Sequence, residues 1–321
     1  MAKQRGNKAD RRRRKWFTAL SVFLVLVLLH FCIGGERLQP ILDAIAPAAG
    51  TPGLPSETGA LEVVALDVGQ GDSIFLQSTS GKTMLIDAGE SKAFDAIDDF
   101  LQLRGVSKLD MVIATHPHSD HIGGMRQIIE KYDISRFYMP EVAHTTVTYE
   151  KMLAALDDRG VEVRFLNADA YLPWDDDVEI SVLSPLKGVE YNDLNDWSAI
   201  IRVKFGDTAI LFTGDAEANA ERLALNAYGA QALEADVLKL GHHGSSTSTG
   251  NAFLDAVNPR YAIASLGADN DYGHPHQETL QKLKDAGIEL FRTDKNGNIR
   301  ILLTGRDILI EPGYTAGRPE K

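Results

Sequence analysis

The sequence predicts a mixed α/β (α+β) domain, two sheets face to face with helices outside, behind a single membrane-spanning helix. Three observations predict it. Strand patterns at 61–67, 73–77 and 83–87 come first, and strand and helix patterns then alternate. The same order returns after residue 178, where strands again precede an alternation of strand and helix. Ahead of all this, the apolar run 16–35 is close to the roughly 20 residues that carry a helix across a bilayer.

A chain of 321 residues holds one large domain or two smaller ones, and 44% hydrophobic residues supply an ordinary globular core. The net charge of −12 is unevenly spread: residues 1–15 hold eight Lys or Arg and one Asp, a local +7 that leaves −19 for the rest. An acidic body does not draw polyanions over a distance, so a nucleic-acid substrate there needs local help from metal ions or a basic patch. Cys32 is the single cysteine, which excludes an intramolecular disulfide and any thiolate zinc cluster.

The elements follow in order. The basic tail 1–15 ends in Arg11-Arg12-Arg13-Arg14-Lys15 against the apolar run, and positive flanks stay on the cytoplasmic side. The expectation is a single-pass anchor in the cell membrane over 16–35, with the N-terminus cytoplasmic and the body outside. A cleaved signal peptide competes, with Ala44-Ile45-Ala46-Pro47-Ala48-Ala49 as its cleavage stretch, but that stretch lies far past the apolar core. A lipoprotein signal at Cys32 is disfavoured because His30 and Phe31 are bulky where small residues belong. Pro40, Pro47, Pro52 and Pro55 mark 36–60 as a linker.

The folded domain is expected over 61–312, with a tail at 313–321. Between its first two strands, Val68-Gly69-Gln70-Gly71-Asp72 is a glycine turn that lets backbone approach something closely. A helix is expected near 93–103, a strand over 109–114 and a helix from Ile122 to about Lys131. Strands at 134–139, 161–165 and 178–183 and a helix at 147–157 follow. Residues 198–205 and 208–213 form a hairpin across Gly206-Asp207. Then come helix 216–228, strand 236–240, helix 251–257, strand 260–264, helix 277–286 and strands 288–292 and 298–303.

The densest chemistry is Thr115-His116-Pro117-His118-Ser119-Asp120-His121, between the apolar strand and its helix. In an extended loop His116 and His118 point the same way, and a tight turn brings Asp120 and His121 beside them. Imidazole and carboxylate are ligands for zinc, manganese and iron. One ion on His116 and His118 and another on Asp120 and His121 would account for the crowding. A solvated polar loop is the bland alternative, and four such groups at this spacing weigh against it.

Other strand ends repeat the logic. Asp215, in Thr213-Gly214-Asp215, is expected to bridge two cations, although an isolated Asp at a helix start is usually an N-cap. In Gly241-His242-His243-Gly244 one histidine should complete the second ion's ligands; His242 is preferred and His243 is the fallback. His274, in Tyr272-Gly273-His274-Pro275-His276, is expected to contact substrate or donate a proton, while His276 is as well suited to capping a helix. Asp87, ending the third strand, should orient a ligating histidine. His144 either reaches the site or opens the helix after it, and Asn195 and Ser198 are equally ambiguous.

The H-x-H-x-D-H run resembles the metallo-β-lactamase superfamily. The resemblance covers about 60–312 and implies a four-layered αββα sandwich with metals at the rim between the sheets. It places the superfamily's motifs on Asp87, on His116, His118, Asp120 and His121, on Asp215 and on His242. Asp67-Val68-Gly69-Gln70-Gly71-Asp72-Ser73, the main motif through Gly124, residues 211–215, His242-His243-Gly244-Ser245 and Tyr272-Gly273-His274-Pro275 are similar to the C-terminal domain of ComEC-type DNA-uptake competence proteins. Two departures stand out. Between His121 and Asp215 the only histidine is His144, with Asn195 nearer the expected place of a third imidazole. The multi-spanning channel has no counterpart, since one apolar span precedes the domain.

The expected cofactor is a pair of divalent ions, zinc or manganese, and the expected reaction is hydrolysis by metal-activated water, with Asp120 or Asp215 orienting it. A phosphodiester or nucleic acid is the expected substrate. Carboxylic esters, thioesters or lactams on the same site form one alternative, to which the acidic body inclines. A membrane-tethered metal or nucleic-acid binding module without turnover is the other.

Overall fold

Alternation along the first three strands decides the architecture. β1 (Leu61–Ala65), β2 (Ile74–Gln77) and β3 (Thr83–Ile86) form an antiparallel meander. Leu61, Val63, Leu76 and Met84 face one way, Val64, Phe75 and Leu85 the other, and all are buried. A sheet apolar on both faces needs cover on both. The computed structural model describes residues 59–316, so the basic tail, the expected anchor 16–35 and nearly all of the linker lie outside the described residues. Among the described residues no helix is long and apolar enough to cross a membrane.

The cover on one side follows directly in the chain. After β3 come α1 (Phe94–Leu103), β4 (Lys108–Leu109), β5 (Met111–Ile113), α2 (Ser119–Ile122), α3 (Met125–Lys131), β6 (Asp133–Ile134), β7 (Phe137–Pro140), α4 (Val147–Arg159) and β8 (Val163–Leu166). Helical crossovers make β3, β5, β7 and β8 parallel. Ile97, Leu101, Ile128, Met152 and Leu156 pack from these helices onto Val64, Phe75, Leu85 and Val112.

The second half repeats the plan. β9 (Val178–Ser184), β10 (Ile200–Phe205) and β11 (Thr208–Phe212) are antiparallel. They are followed by α5 (Ala218–Tyr228), α6 (Ala230–Leu233), β12 (Val237–Lys239), α7 (Asn251–Val257), β13 (Tyr261–Ala264), α8 (Gln277–Asp285), β14 (Glu289–Arg292) and α9 (Thr293–Asn296). β11 to β14 run parallel. β15 (Ile299–Leu303) and β16 (Ile308–Pro312) then return to the first sheet beside β1. The sheet orders are β16-β15-β1-β2-β3-β5-β7-β8 and β14-β13-β12-β11-β10-β9. Leu61, Val63, Leu76 and Met84 meet Val182, Ile201, Val203 and Phe212 between the sheets. Leu211 and Leu238 turn outward to Ala220, Phe253, Val257 and Leu283. Three apolar layers thus separate four layers of structure, α, β, β and α.

Two of the boundaries that differ from the sequence expectation flank the histidine loop. The expected strand 109–114 is two strands, β4 and β5, because Asp110 leaves the ladder and takes the Thr83 N–H on its carboxylate at 3.0 Å. The helix expected from Ile122 begins at Ser119, so Asp120 and His121 lie on its first turn. β3 and β5 in one sheet and β11 and β12 in the other deliver their carboxyl ends to one rim, where the candidate ligands gather.

Candidate metal centre

The loop after β5 is fixed from below by Asp87. That residue sits at φ 60°, and its carboxylate accepts the Thr115 N–H at 2.8 Å and the Thr115 hydroxyl at 2.6 Å. His121 Nδ1 donates to the same carboxylate at 2.8 Å. Since the Thr115 hydroxyl proton goes to Asp87, its oxygen accepts from His116 Nδ1 at 3.2 Å. Both imidazoles therefore spend their Nδ1 protons on protein and turn Nε2 toward the rim. His116 Nε2 lies 3.0 Å from His118 Nδ1.

The second sheet supplies the rest. Asp215 follows β11, its N–H held by Ser198 Oγ at 3.0 Å. Its Oδ1 is 3.1 Å from His121 Nε2 and its Oδ2 is 3.8 Å from His116 Nε2, so one carboxylate faces both histidines. Beyond β12 the backbone takes left-handed values at His242 (φ 47°) and His243 (φ 55°). That double turn drives His243 inward, where Nδ1 donates to the Ser265 carbonyl at 2.8 Å and Nε2 lies 3.2 Å from Asp120 Oδ2. Ligand atoms of Asp120, His121, Asp215 and His243 all lie within 4.8 Å of one another. His242 is the expected member of this set; the turn brings His243 in and leaves His242 on Glu217 at 3.0 Å.

Charge sets the electrostatics. Burial opposes a charge on His121, yet Asp215, Asp87 and Asp120 outweigh it and hold that imidazole well above the usual histidine range. Burial likewise opposes His243, and Asp215 and Asp120 raise it. Burial and the neighbouring His121 push His116 well down. Burial works to raise Asp215, but His121 and His243 hold it well below the ordinary carboxylate range. Asp120 is lowered in the same way, chiefly by His121 against burial.

The donor set fits a divalent cation. His121 Nε2 and Asp215 Oδ1 are buried without a hydrogen-bond partner although 3.1 Å apart. An imidazole lone pair set against a carboxylate is relieved by a proton or a cation, and nitrogen with carboxylate oxygen suits zinc, manganese or iron. The cluster floors a cleft of about 320 Å³, lined also by Gln70, His118, His144, Asn195, Tyr272 and His274. A larger groove of about 1010 Å³ elsewhere includes no histidine among its lining residues.

The remaining candidates sit around that cleft. His144 has its ring centroid 6.0 Å from that of His118 and its Nδ1 3.0 Å from the Thr146 hydroxyl, which caps α4. Asn195 is 8% exposed and its Nδ2 donates to Glu217. His274, clamped at its backbone by Asn270, is 8% exposed; burial and then His242, His243 and His276 push its pKa down to about 4, so it is a neutral imidazole near pH 7. His276 is the cap position of α8 and bonds the Ser246 N–H at 2.9 Å.

Three further buried or half-buried charged residues, with no role expected from the sequence, support the centre. Asp72, 1% exposed, lies 3.6 Å from His243 Nδ1 and 3.8 Å from His121 Nδ1. Lys239, also 1% exposed, pairs with Asp72 at 2.5 Å and donates to the Gly214 carbonyl at 3.2 Å. Glu217 gathers Asn195, His242 and Thr247. A lone lysine inside the apolar strand before Leu240 was the available signal, since such a residue is buried only when paired.

This fold and this rim of histidines and aspartates belong to one protein class. A profile of the metallo-β-lactamase superfamily matches residues 66–268, and the chain belongs to that superfamily. Among known proteins it is similar to ComE operon protein 3 of Bacillus subtilis (strain 168), 32% identical over 256 residues, which are 74% of this chain and 32% of that protein. It is similar to competence protein ComA of Neisseria gonorrhoeae, 34% identical over 241 residues, 74% of this chain and 32% of that one. Recombination protein 2 of Haemophilus influenzae is 30% identical over 245 residues, 75% of this chain and 28% of that one. The chain spans about a third of the length of these relatives. The likeness to ComEC-type competence proteins read from the motifs therefore holds.

Proposed function

We propose that this chain is a metal-dependent hydrolase and that its substrate is a phosphodiester, nucleic acid in particular. The observation that carries the reading is the largely buried, close-set group of Asp120, His121, Asp215 and His243, whose ligand atoms lie within 4.8 Å of one another beside Asp87. Asp120, His121, Asp215 and His243 would hold one divalent ion, and His116 and His118 with Asp215 a second, zinc or manganese in either place. Bound there, the ions supply Lewis acidity at the scissile bond and lower the pKa of water.

The chain's own groups do the rest. Asp87 and the Ser265 carbonyl hold the His121 and His243 protons on Nδ1, so that each Nε2 faces a carboxylate, Asp215 for His121 and Asp120 for His243. His274 is a hydrogen-bond partner for a substrate oxygen rather than a store of acid, because it is neutral near pH 7. The cleft, about 320 Å³, is near the lower end of small-ligand sites and has room for one diester unit. The relatives' names, competence and recombination proteins, support a nucleic-acid substrate. The run 16–35, next to the basic tail, would tether the domain to the outer face of the cell membrane; protease protection of the N-terminus in intact cells tests that.

No Lys or Arg lines the cleft, which favours a second reading, hydrolysis of a neutral carboxylic ester, thioester or lactam. The deciding assay presents purified chain, with manganese or zinc, to single-stranded DNA, a chromogenic phosphodiester, a chromogenic acyl ester and a lactam. Diester turnover that needs metal and is lost in His121→Ala supports the first reading. Turnover of acyl substrates alone supports the second, and DNA retained but uncut would leave a binding module.

A further inference from the structure

The loop from β13 to α8 leaves a tyrosine ring open at the cleft. Tyr272 is 64% exposed, and of the large apolar side chains that stand exposed among the described residues it alone lines the cleft. Its ring stacks on that of His274, with centroids 5.6 Å apart and planes at 22°. An offset stack of this kind covers one face of the phenol and leaves the rest open. The His274 ring is in turn 5.4 Å from that of His242 and 6.3 Å from that of His243, a member of the close-set metal group. One side chain therefore separates the open ring from the candidate chemistry.

The loop that carries this ring is braced from three sides. Asn270 Oδ1 accepts the His274 N–H at 2.9 Å, and its Nδ2 donates to the Gly267 and His274 carbonyls at 3.1 and 2.9 Å. The Ser246 N–H donates to His276 Nδ1 at 2.9 Å; the proton of that imidazole is then on Nε2, which donates to the Tyr272 carbonyl at 3.2 Å. Gly267 N–H reaches Gln70 Oε1 at 3.3 Å, tying the loop to the glycine turn of the first sheet. An aromatic ring on a backbone already fixed costs little ordering entropy when a ligand settles on it. Charge narrows what that ligand is. The cleft has Asp120 and Asp215 but no Lys or Arg among its lining residues. Beyond any bound ions, the phosphates of a strand find no side-chain cation there, and the purchase left is on the faces of its bases.

We propose that Tyr272 is a platform on which one unpaired nucleobase of a single strand stacks, beside the diester held at the metal group. Tyr272 is then a specificity-determining residue. It senses the presence of a base and not its identity, because every base has a flat face. Inside a duplex both faces are covered by neighbouring bases, so the platform selects single strands. The inference rests on the nucleic-acid reading of the cleft and adds which part of the strand is held.

The test separates bases from backbone. Full chain is titrated calorimetrically, in chelator and again in calcium, with unlabelled oligothymidine and with an abasic strand of the same length. Wild type should bind oligothymidine at least fivefold more tightly than the abasic strand. Tyr272→Ala and Tyr272→Leu should bind the two alike, at the abasic affinity, while Tyr272→Trp should keep the preference. Because the ring is exposed, thermal midpoints of the three variants should match wild type. Relaxed, closed circular duplex should not displace oligothymidine. Wild type that binds both strands equally, or neither, overturns the proposal, as does a preference that survives in Tyr272→Ala or a duplex that competes on equal terms. A nitrophenyl ester whose KM rises in Tyr272→Ala, in a chain that holds no strand, gives the ring to acyl substrates and overturns it too. A Tyr272-dependent preference for bases in a chain that cuts no diester with manganese or zinc upholds this inference and sinks the hydrolase reading. Metal-dependent cleavage of oligothymidine with the same KM in wild type and Tyr272→Ala does the reverse.

Discussion

Gly71 decides how the first glycine turn meets the metal loop. Its φ is +120°, and a Cβ there would stand 2.1 Å from the Asp120 carbonyl oxygen. The next residue uses that contact, Asp72 N–H donating to the Asp120 carbonyl at 3.2 Å. Gly71→Ala would strain the backbone and displace Asp120, at a cost on the order of 3 kcal/mol. Urea denaturation should show that loss, and metal titration should show weaker binding; a variant matching wild type in both would refute the reading. At this scale the local motifs were legible: His116, His118, Asp120, His121 and Asp215 announce themselves by type and by position at strand ends. Asp72, Lys239 and Glu217 did not, because their partners lie in remote segments and no spacing rule joins them. The choice between His242 and His243 turned on two left-handed residues in succession, a conformation that histidine rarely signals.

Helices α1 and α3 are joined by a carboxylate rather than by apolar packing alone. Asp98, on α1, accepts from Gln102 Nε2, Lys131 Nζ and the Tyr132 hydroxyl, each at 2.6 Å. Burial works to raise its pKa, but Lys131, Tyr132 and Gln102 prevail and hold it below the ordinary value. A depressed carboxylate stabilises the fold above the unfolded-state pKa of about 4 and loses that contribution as pH falls through the folded value. Thermal midpoints of wild type should therefore drop steeply below about pH 4, and Asp98→Asn should show a shallower drop from a lower plateau. Equal slopes would contradict this. Most elements were readable because the central strands are apolar on both faces and the helices are patterned. β16 was not, since Ile308–Pro312 is an edge strand with Leu309 53% exposed and a terminal proline. The break between β4 and β5 escaped because Asp110 is polar for a backbone reason, not a surface one.

At the scale of the whole molecule, each half contributes a meander followed by a parallel run, and the centre forms only where their rims meet. The Asp72–Lys239 pair crosses that meeting, Asp72 from the first sheet's turn and Lys239 from the second sheet. Removing one partner of a buried pair leaves an uncompensated charge and typically costs about 3–5 kcal/mol. Lys239→Met should lower the thermal midpoint most in chelator and less with manganese or zinc present, because bound cations offset Asp72. A midpoint deficit indifferent to metal would show that the lysine serves packing alone. The pair has a consequence of its own. A chelator can strip away ions but not a side chain, so the emptied cleft would still keep one permanent counterweight to its acids, and the protein could wait, assembled, until metal returns.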